Sequence, residues 1–404
     1  MAESGWLDQR ETLEIEIHQT MRLGIVGCGI TGTAIACLLS EAGHRIEIFE
    51  QASACKPMGA GIMLQPSGQQ VLRRMGLLED VMRVAERLDG MSAVLKSGRE
   101  LVRLKYSSLE PALFGLGVHR GELYELLLRK CREVGVTIHA GQPIVSAGSS
   151  ADGHWVESKQ AERFGGFDFL IGADGSASAL RKQSGIRTRV HEYEHAAMWA
   201  TGHCEFQPRE LLQVVDGTEK LVGLLPIGGN RSSFFWGIRA SEYETLRNSS
   251  IDKWKASVLE ICPAAESVLT GLNTFDDLTF AKYRDVTMKT WFDGRVLFLG
   301  DAAHATSPHL GQGVNLALED AMCFADELGR LGDFAAACDS YTRIRKSKLR
   351  YYSRLTRFLT PFFQSSGWGR GKLRDVFLPW FPRTPFVRRE MLRTLCGFKN
   401  GWLK

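Results

Sequence analysis

Gly27, Gly29 and Gly32 form a G-x-G-x-x-G run, and Glu50 follows 18 residues after the last of them. Glycines at that spacing allow a tight turn, a close approach of backbone to a pyrophosphate, and tight packing of the next helix on the preceding strand. A carboxylate about twenty residues on accepts hydrogen bonds from a ribose diol and repels a 2′-phosphate, which points to FAD or NAD rather than NADP. Two later glycine-and-acid corners hold Asp174 and Asp301. By spacing alone, a short carboxylate such as Asp301 either accepts a ribose-type hydroxyl or caps a helix. If a substrate carried an acidic hydroxyl, a base would help. His191, Tyr193, His195 and His203 are the candidates, each equally open to a structural hydrogen-bonding role.

These residues need strand–turn–helix units to position them. Residues 23–26 are an apolar run of the kind buried in a parallel sheet. A helix is expected over 32–42 with Gly43 as its stop, then a strand over 45–49 ending at Glu50. Residues 51–70 read as a loop from Met58 onward, where glycines would let Gly61 and Ile62 lie against a flat ligand. Ser67 is expected to cap a helix over 69–75. Helical patterns follow at 77–86 and 119–135, with two short strands within 91–106. Parallel strands are expected at 136–139, 167–172 and 294–300, a helix carries Arg181, and a long helix opens at Gly313.

Residues 198–206, 220–225 and 232–239 are β-rich and predict a mostly antiparallel sheet, followed by a helix over 251–262. Period two sets Met198, Ala200, Gly202 and Cys204 against Trp199, Thr201 and His203. It likewise sets Phe234, Trp236 and Ile238 against Phe235, Gly237 and Arg239. One face of each strand should line a pocket, and parity leaves open which.

With 404 residues the chain suits two intimately packed domains, and 44% hydrophobic content supplies their cores. A net charge of +4 against 50 basic and 46 acidic side chains implies no nucleic-acid partner. Nine scattered cysteines without C-x-x-C fit reduced thiols in a cytoplasmic setting, and no metal-ligand spacing occurs. Residues 1–20 read as a flexible acidic leader rather than a signal peptide, and no apolar run is long enough to span a membrane. Residues 341–357 and the tail from Trp368 are rich in Arg and Lys with Trp380, Phe381 and Phe386 between. A peripheral membrane or anionic-substrate patch is one reading. The preferred one is a solvated helix face packed by its own aromatics.

Three motifs stand in order: Gly27-Cys-Gly-Ile-Thr-Gly32, the run 172–181 with Asp174 and Arg181, and the run 300–320 with Asp301, Pro308, Gly311, Gly313 and Asn315. Together they resemble the class A FAD-dependent flavoprotein monooxygenases, typified by p-hydroxybenzoate hydroxylase and the ubiquinone-biosynthesis hydroxylases, over roughly residues 22 to 395. The resemblance implies an α/β fold: a Rossmann-like FAD-binding domain, an inserted mostly antiparallel β-sheet substrate domain, and a C-terminal helical segment. The FAD-binding parts would be 21–90, 107–190 and 286–335, the substrate parts 91–106 and 191–285, and the basic helical segment 336–404.

It further implies that NADH or NADPH reduces FAD and that O2 then forms a flavin C4a-hydroperoxide. One oxygen atom would pass to an aromatic or polycyclic apolar small molecule, most simply as a hydroxyl. Arg120 would reach the pyrophosphate, where a guanidinium binds bidentately. Asp174 would serve FAD and the nicotinamide donor, and Arg181 would pair with Asp174 or take the donor's phosphate. Asp301 would hold a ribityl or ribose hydroxyl. Gly311 and Gly313 would admit the flavin, Pro308 would support the loop beneath it, and the helix start at Val314 and Asn315 would face the reduced ring. Gln51 departs from the family's frequent arginine and makes that contact neutral. A reductase or dehydrogenase of the same fold, or a non-catalytic flavin-binding protein, is the alternative reading.

Overall fold

The structure is a computed structural model that describes residues 19–54, 59–204, 208–365 and 369–402. Most of the expected leader, and Met58, Phe206 and Trp368, lie outside the described residues. The first sheet is wholly parallel, in the order β18 (Val296–Phe298), β12 (Phe169–Gly172), β1 (Arg22–Val26), β2 (Arg45–Glu50), β8 (Thr137–Ala140). Leu23, Ile25, Ile48, Leu170, Ile171 and Leu297 are fully buried between covering helices, as near-continuous apolar strands require. Parallel order puts the carboxyl ends of β2, β1, β12 and β18 along one edge, and each expected corner follows one of those ends.

The second sheet has seven strands in the order β17 (Thr279–Met288), β13 (Thr188–His203), β16 (Arg231–Arg239), β15 (Lys220–Pro226), β14 (Glu210–Asp216), β5 (Gly90–Leu95), β6 (Glu100–Lys105). It is antiparallel except for the β14–β5 pair. One face packs on the helix Ile251–Leu259 and the helix after it. Phe234 and Trp236 lie edge-on to Trp254 at 6.0 and 6.1 Å, and a Cβ on Gly202 would strike Val268. That fills the Met198, Phe234 and Trp236 side with protein. The Trp199, Phe235 and Gly237 side therefore faces the first domain.

Several local expectations are corrected. The loop from 51 contains a strand, β3 (Gly61–Leu64), which joins β7 (Gly115–His119) and β4 (Glu86–Leu88) in a small antiparallel sheet. Pairing satisfies main-chain groups that would otherwise be buried alone. Ser67 is not a cap: the helix runs over Pro66–Arg74 with Gln65 at its N-cap, because proline suits the first helical position. The helix expected over 77–86 spans only Leu78–Val84, since the chain turns into β4. A three-stranded meander, β9 (Ile144–Ser150), β10 (Gly153–Ser158) and β11 (Arg163–Phe167), was not anticipated.

The basic helix is part of Phe334–Phe363, and it is not a solvated face throughout. Arg345 and Lys348 are buried. Arg345 donates to Asp320 at 2.7 Å and pairs with Glu319, Lys348 meets Glu319 at 2.6 Å, and His304 shares Asp320. Burial of two cations requires such partners, and the network ties this helix to Gly313–Leu331. Nor do the tail aromatics pack the helix: Trp380, Phe381 and Phe386 are exposed. Among the described residues no helix is long and apolar enough to cross a membrane.

Candidate cofactor and substrate site

The glycines of the first corner have distinct steric reasons. Gly27 has φ +104°, and a Cβ there would stand 2.4 Å from the Ala173 carbonyl oxygen, so this turn is pressed against the second corner. A Cβ on Gly32 would stand 1.9 Å from the Gly27 oxygen, whereas one on Gly29 would meet no protein atom within 4 Å. Gly29 thus borders open space while its neighbours hold the helix Ile30–Glu41 against β1. Glu50 accepts the Cys28 N–H and the Ala52 N–H, each at 2.9 Å. A carboxylate has about four acceptor sites, so capacity for a diol remains. Gln51 beside it is exposed.

In the second corner, Asp174 Oδ2 accepts the Ala179 N–H at 2.8 Å and the Leu180 N–H at 3.4 Å. Its Oδ1 is buried and has no partner. Burial raises the pKa of Asp174, opposed by Ser178 and the two N–H groups. An orphaned acceptor of this kind fits a ligand hydroxyl. Arg181 has main-chain partners that the sequence did not suggest. It is buried and donates to the carbonyls of Ala302 at 2.7 Å, Ser176 at 2.6 Å and Gly175 at 3.5 Å, clamping the second corner to the third. Its side-chain hydrogen bonds go to the main chain, while the Asp174 carboxylate interacts with its guanidinium through charge.

The third corner turns at Gly300 (φ +57°), where a Cβ would strike Thr31, so it packs on the first. Asp301 opens the short helix Asp301–His304 and remains exposed. Protein nevertheless crowds it enough to raise its pKa, with His304 and Arg120 pulling the other way. Arg120 is exposed at the start of the helix Arg120–Glu133 and lies over Gly59, whose φ of +131° permits that approach. No described carboxylate forms an ion pair with it. Pro308 begins a 3-10 turn that ends at Gly311 in the left-handed conformation, and Gly313 opens the helix to Leu331 into empty space. The first-turn N–H groups of Gly313, Val314 and Asn315 have no carbonyl to meet within the helix.

Two of the expected ligand residues also bond within the protein. The Asn315 side chain donates to the carbonyls of Met63 and Gly311 and accepts the Gln65 N–H, latching β3 to the helix start. Gly61 gives its N–H to Ser233 Oγ at 2.8 Å and marks close contact of β3 with β16, while Ile62 is half-buried. The residues around the cleft fit a dinucleotide. Two edge carboxylates and one orphaned acid oxygen can take hydroxyls, Arg120 can take phosphate, and bare glycines leave room for a flat ring.

Facing the third corner is the Trp199 side of the large sheet. Trp199 and Phe235 have ring centroids 5.1 Å apart, and Tyr283 stands edge-on to His309 at 6.0 Å. His309, directly after Pro308, was not anticipated as a site residue. Its Nδ1 meets Ser307 Oγ at 3.0 Å, and its Nε2 is buried without a partner. Gln364 Nε2 and Oε1 and His195 Nε2 are likewise buried and unpartnered. A Cβ on Gly237 would stand 2.2 Å from Gln364 Nε2, so glycine there makes room for the amide. Burial pushes the His309 pKa down to about 4, with the Gln364 amide opposing and His195 adding to the fall. Burial and then Arg239 lower that of His195. Both rings are neutral near pH 7.

The other base candidates stand differently. His191 is exposed and edge-on to Tyr193, and His203 is exposed at the far end of β13. Tyr193 donates to Asp285 at 3.3 Å, and burial together with that carboxylate raises its pKa to about 12. A separate cavity of about 460 Å³ lies between the ends of β13 and β17 and the helix Phe334–Phe363. Arg187, Arg189, Lys289, Arg350 and Arg354 are on its wall together with Met288, Trp291 and Leu349.

A sequence profile described as an FAD binding domain matches residues 20–348. Aurachin C monooxygenase/isomerase of Stigmatella aurantiaca is 27% identical over 336 residues, covering 80% of this chain and 84% of that protein. The 6-hydroxynicotinate 3-monooxygenase of Bordetella bronchiseptica is 25% identical, covering 83% and 90%. The fold also matches a solved structure, Klebsiella pneumoniae HpxO with FAD and uric acid. The TM-score is 0.80 at 22% identity, over 95% of this chain and 98% of that one. With these matches and three corners on one sheet edge, the chain belongs to the class A FAD-dependent monooxygenase family, a family of oxidoreductases.

Proposed function

We propose that the protein uses NAD(P)H and O2 to hydroxylate an uncharged aromatic or heteroaromatic molecule held between the third corner and the Trp199 face. The observation that carries this is the group of buried polar atoms without hydrogen-bond partners on His195, His309 and Gln364, between the third corner and the aromatic Trp199 face, which mark the substrate chamber of this reading. Bound FAD, reduced by NAD(P)H and reacting with O2, supplies the oxygen atom. Glu50, Asp174, Asp301 and Arg120 would hold its ribose, ribityl and phosphate groups, and the helix start at Gly313 would direct N–H groups at its ring.

The chain's own part in the chemistry is to orient the substrate and exclude water. Trp199, Phe235 and Tyr283 supply apolar walls. His309 Nε2 and His195 Nε2, both on neutral rings, can each accept or donate one hydrogen bond to a substrate hydroxyl or ring nitrogen. His309, which stands on the cofactor loop itself and is held neutral, would accept a hydrogen bond from a phenolic hydroxyl rather than take its proton. Nearby cations are already engaged: Arg239 with Glu219 and Glu242, and Arg357 with Asp285. Supporting a neutral substrate over a carboxylate is this lack of an unengaged cation among the described residues of the chamber.

The test is anaerobic reduction of the FAD-loaded protein by NADH and by NADPH. It is followed by turnover under ¹⁸O2 with paired phenols and quinolones that differ only by a carboxylate. One labelled oxygen in the product and preference for the uncharged member of each pair are expected. Substrate reduction without oxygen uptake would establish the reductase alternative, and a flavin that neither donor reduces would establish a binding protein.

A further inference from the structure

We propose that the C-terminal surface formed by Phe358 and residues 370–389 docks the protein onto an anionic lipid bilayer. Among the described residues every exposed Phe or Trp lies beyond position 357: Phe358, Phe377, Trp380, Phe381, Phe386 and Trp402, each half or more exposed. Leu373 and Val376 join them at 52% and 56% exposure. A soluble surface scatters such residues singly, and concentration in one segment marks an interaction site.

The helix Arg370–Phe377 is turned the wrong way round for a protein in water. Leu373, Val376 and Phe377 occupy one face at i, i+3 and i+4, and that face points outward. The buried side chain on this helix is a cation. Arg374 donates to the carbonyls of Gly217 and Phe362 and pairs with Asp375, pinning the helix with its apolar face exposed. The chain then continues through the 3-10 segment Leu378–Arg383 into the helix Pro385–Leu395, which adds Trp380, Phe381 and Phe386 to the exposed set.

Charge selects the occupant. Arg354, Arg370, Lys372, Arg383, Arg388 and Arg389 are exposed, whereas the only acid between 354 and 389 is Asp375, already neutralised by Arg374. The Arg383 guanidinium sits over the Trp380 ring at 5.0 Å, a pairing suited to the boundary between acyl chains and headgroups. Apolar insertion and electrostatic attraction to anionic headgroups are the two signals that stable peripheral binding needs, and both are here. A second copy fits poorly, because an isologous contact would set this positive face against itself. Bilayer docking is independent of the chemistry at the flavin, and it would hold the chamber next to the phase into which an apolar aromatic substrate partitions.

The experiment is flotation of the full-length, FAD-loaded protein with vesicles of phosphatidylcholine alone and of phosphatidylcholine mixed with phosphatidylglycerol. Binding to the anionic vesicles, weakened by salt, is expected. Two variants are compared: Phe377→Ser/Trp380→Ser/Phe381→Ser/Phe386→Ser, and Arg383→Glu/Arg388→Glu/Arg389→Glu. Each alters exposed positions only and should lower the anionic partition coefficient by about tenfold or more. Flavin absorbance should be unchanged in both, and if the serine variant loses its flavin the glutamate variant carries the test. Failure of the wild type to float with anionic vesicles at low salt overturns the proposal. So does partitioning that neither variant alters, or a wild-type dimer that the serine variant converts to monomer without vesicle binding by either.

Discussion

Replacing Asp174 by Asn separates cofactor binding from folding. Asp174 Oδ2 accepts two main-chain N–H groups, while Oδ1 is buried with nothing to accept. An asparagine can keep its carbonyl oxygen on those N–H groups and place its NH2 where Oδ1 was. What is lost is one charge-assisted acceptor for a ligand hydroxyl, about 1.5 to 3 kcal/mol, so the FAD dissociation constant should rise by about 10- to 150-fold. Stability of the flavin-free protein should move the other way. Burial raises the carboxyl pKa above its ordinary value of 3.8, so the folded state is favoured while the group is protonated and loses that advantage as pH climbs through the raised pKa. The Asn variant lacks this loss, and its apoprotein should melt no lower than wild type at pH 7. Fluorescence titration of apoprotein with FAD, paired with thermal melting of the same samples, measures both. An unchanged dissociation constant refutes the ligand role. A lowered apoprotein Tm in step with weaker binding would make Asp174 a helix cap and nothing more.

Gly29→Val should leave the apoprotein's Tm within a degree or two but weaken FAD by about tenfold or more, since its side chain enters space that only a ligand fills. Gly32→Val, whose Cβ would collide with the Gly27 oxygen, should lower both, and equal behaviour of the two variants would contradict this account of the turn. For His309, the folded pKa of about 4 lies below the ordinary 6.5, so the neutral ring stabilises the fold at neutral pH and that contribution is lost as pH falls from 6.5 toward 4. His309→Gln should therefore remove up to about 3 kcal/mol of acid lability in that window, read by urea unfolding at pH 7 and pH 4.5. It should also lower kcat for a phenolic substrate more than it raises KM, and parallel unfolding curves at both pH values would refute the buried-neutral assignment.

The parts of this protein that could be read along the chain are those whose cause is local. Gly32 is dictated by the Gly27 oxygen five residues back, and a buried parallel strand announces itself by an unbroken apolar run such as 23–26, whereas Gly27 and Gly300 answer to Ala173 and Thr31, far off along the chain. The spacing of glycines and acids within each motif is what made the three corners legible in the sequence. β3 was not, because its four residues pair with Gly115–His119, more than fifty positions away, and nothing in 61–64 encodes that partner. The pocket face was undecidable for the same reason: Trp254, on a helix later in sequence, is what fills the opposite side. Arg181 and Asn315 show the converse, polar residues within binding motifs whose side chains bond main-chain groups, Arg181 joining the second corner to the third and Asn315 joining β3 to the helix start. His309 carried one usable signal, its place immediately after Pro308 in the third corner. Gln364 carried none, and only the folded chain brings it to Gly237. The motifs of the cofactor corners are thus written locally, whereas the proposed substrate chamber would be assembled from β13, β16, β17 and the end of the helix Phe334–Phe363. On that proposal its specificity would belong to the packing of these four, which can change while every cofactor motif stays intact.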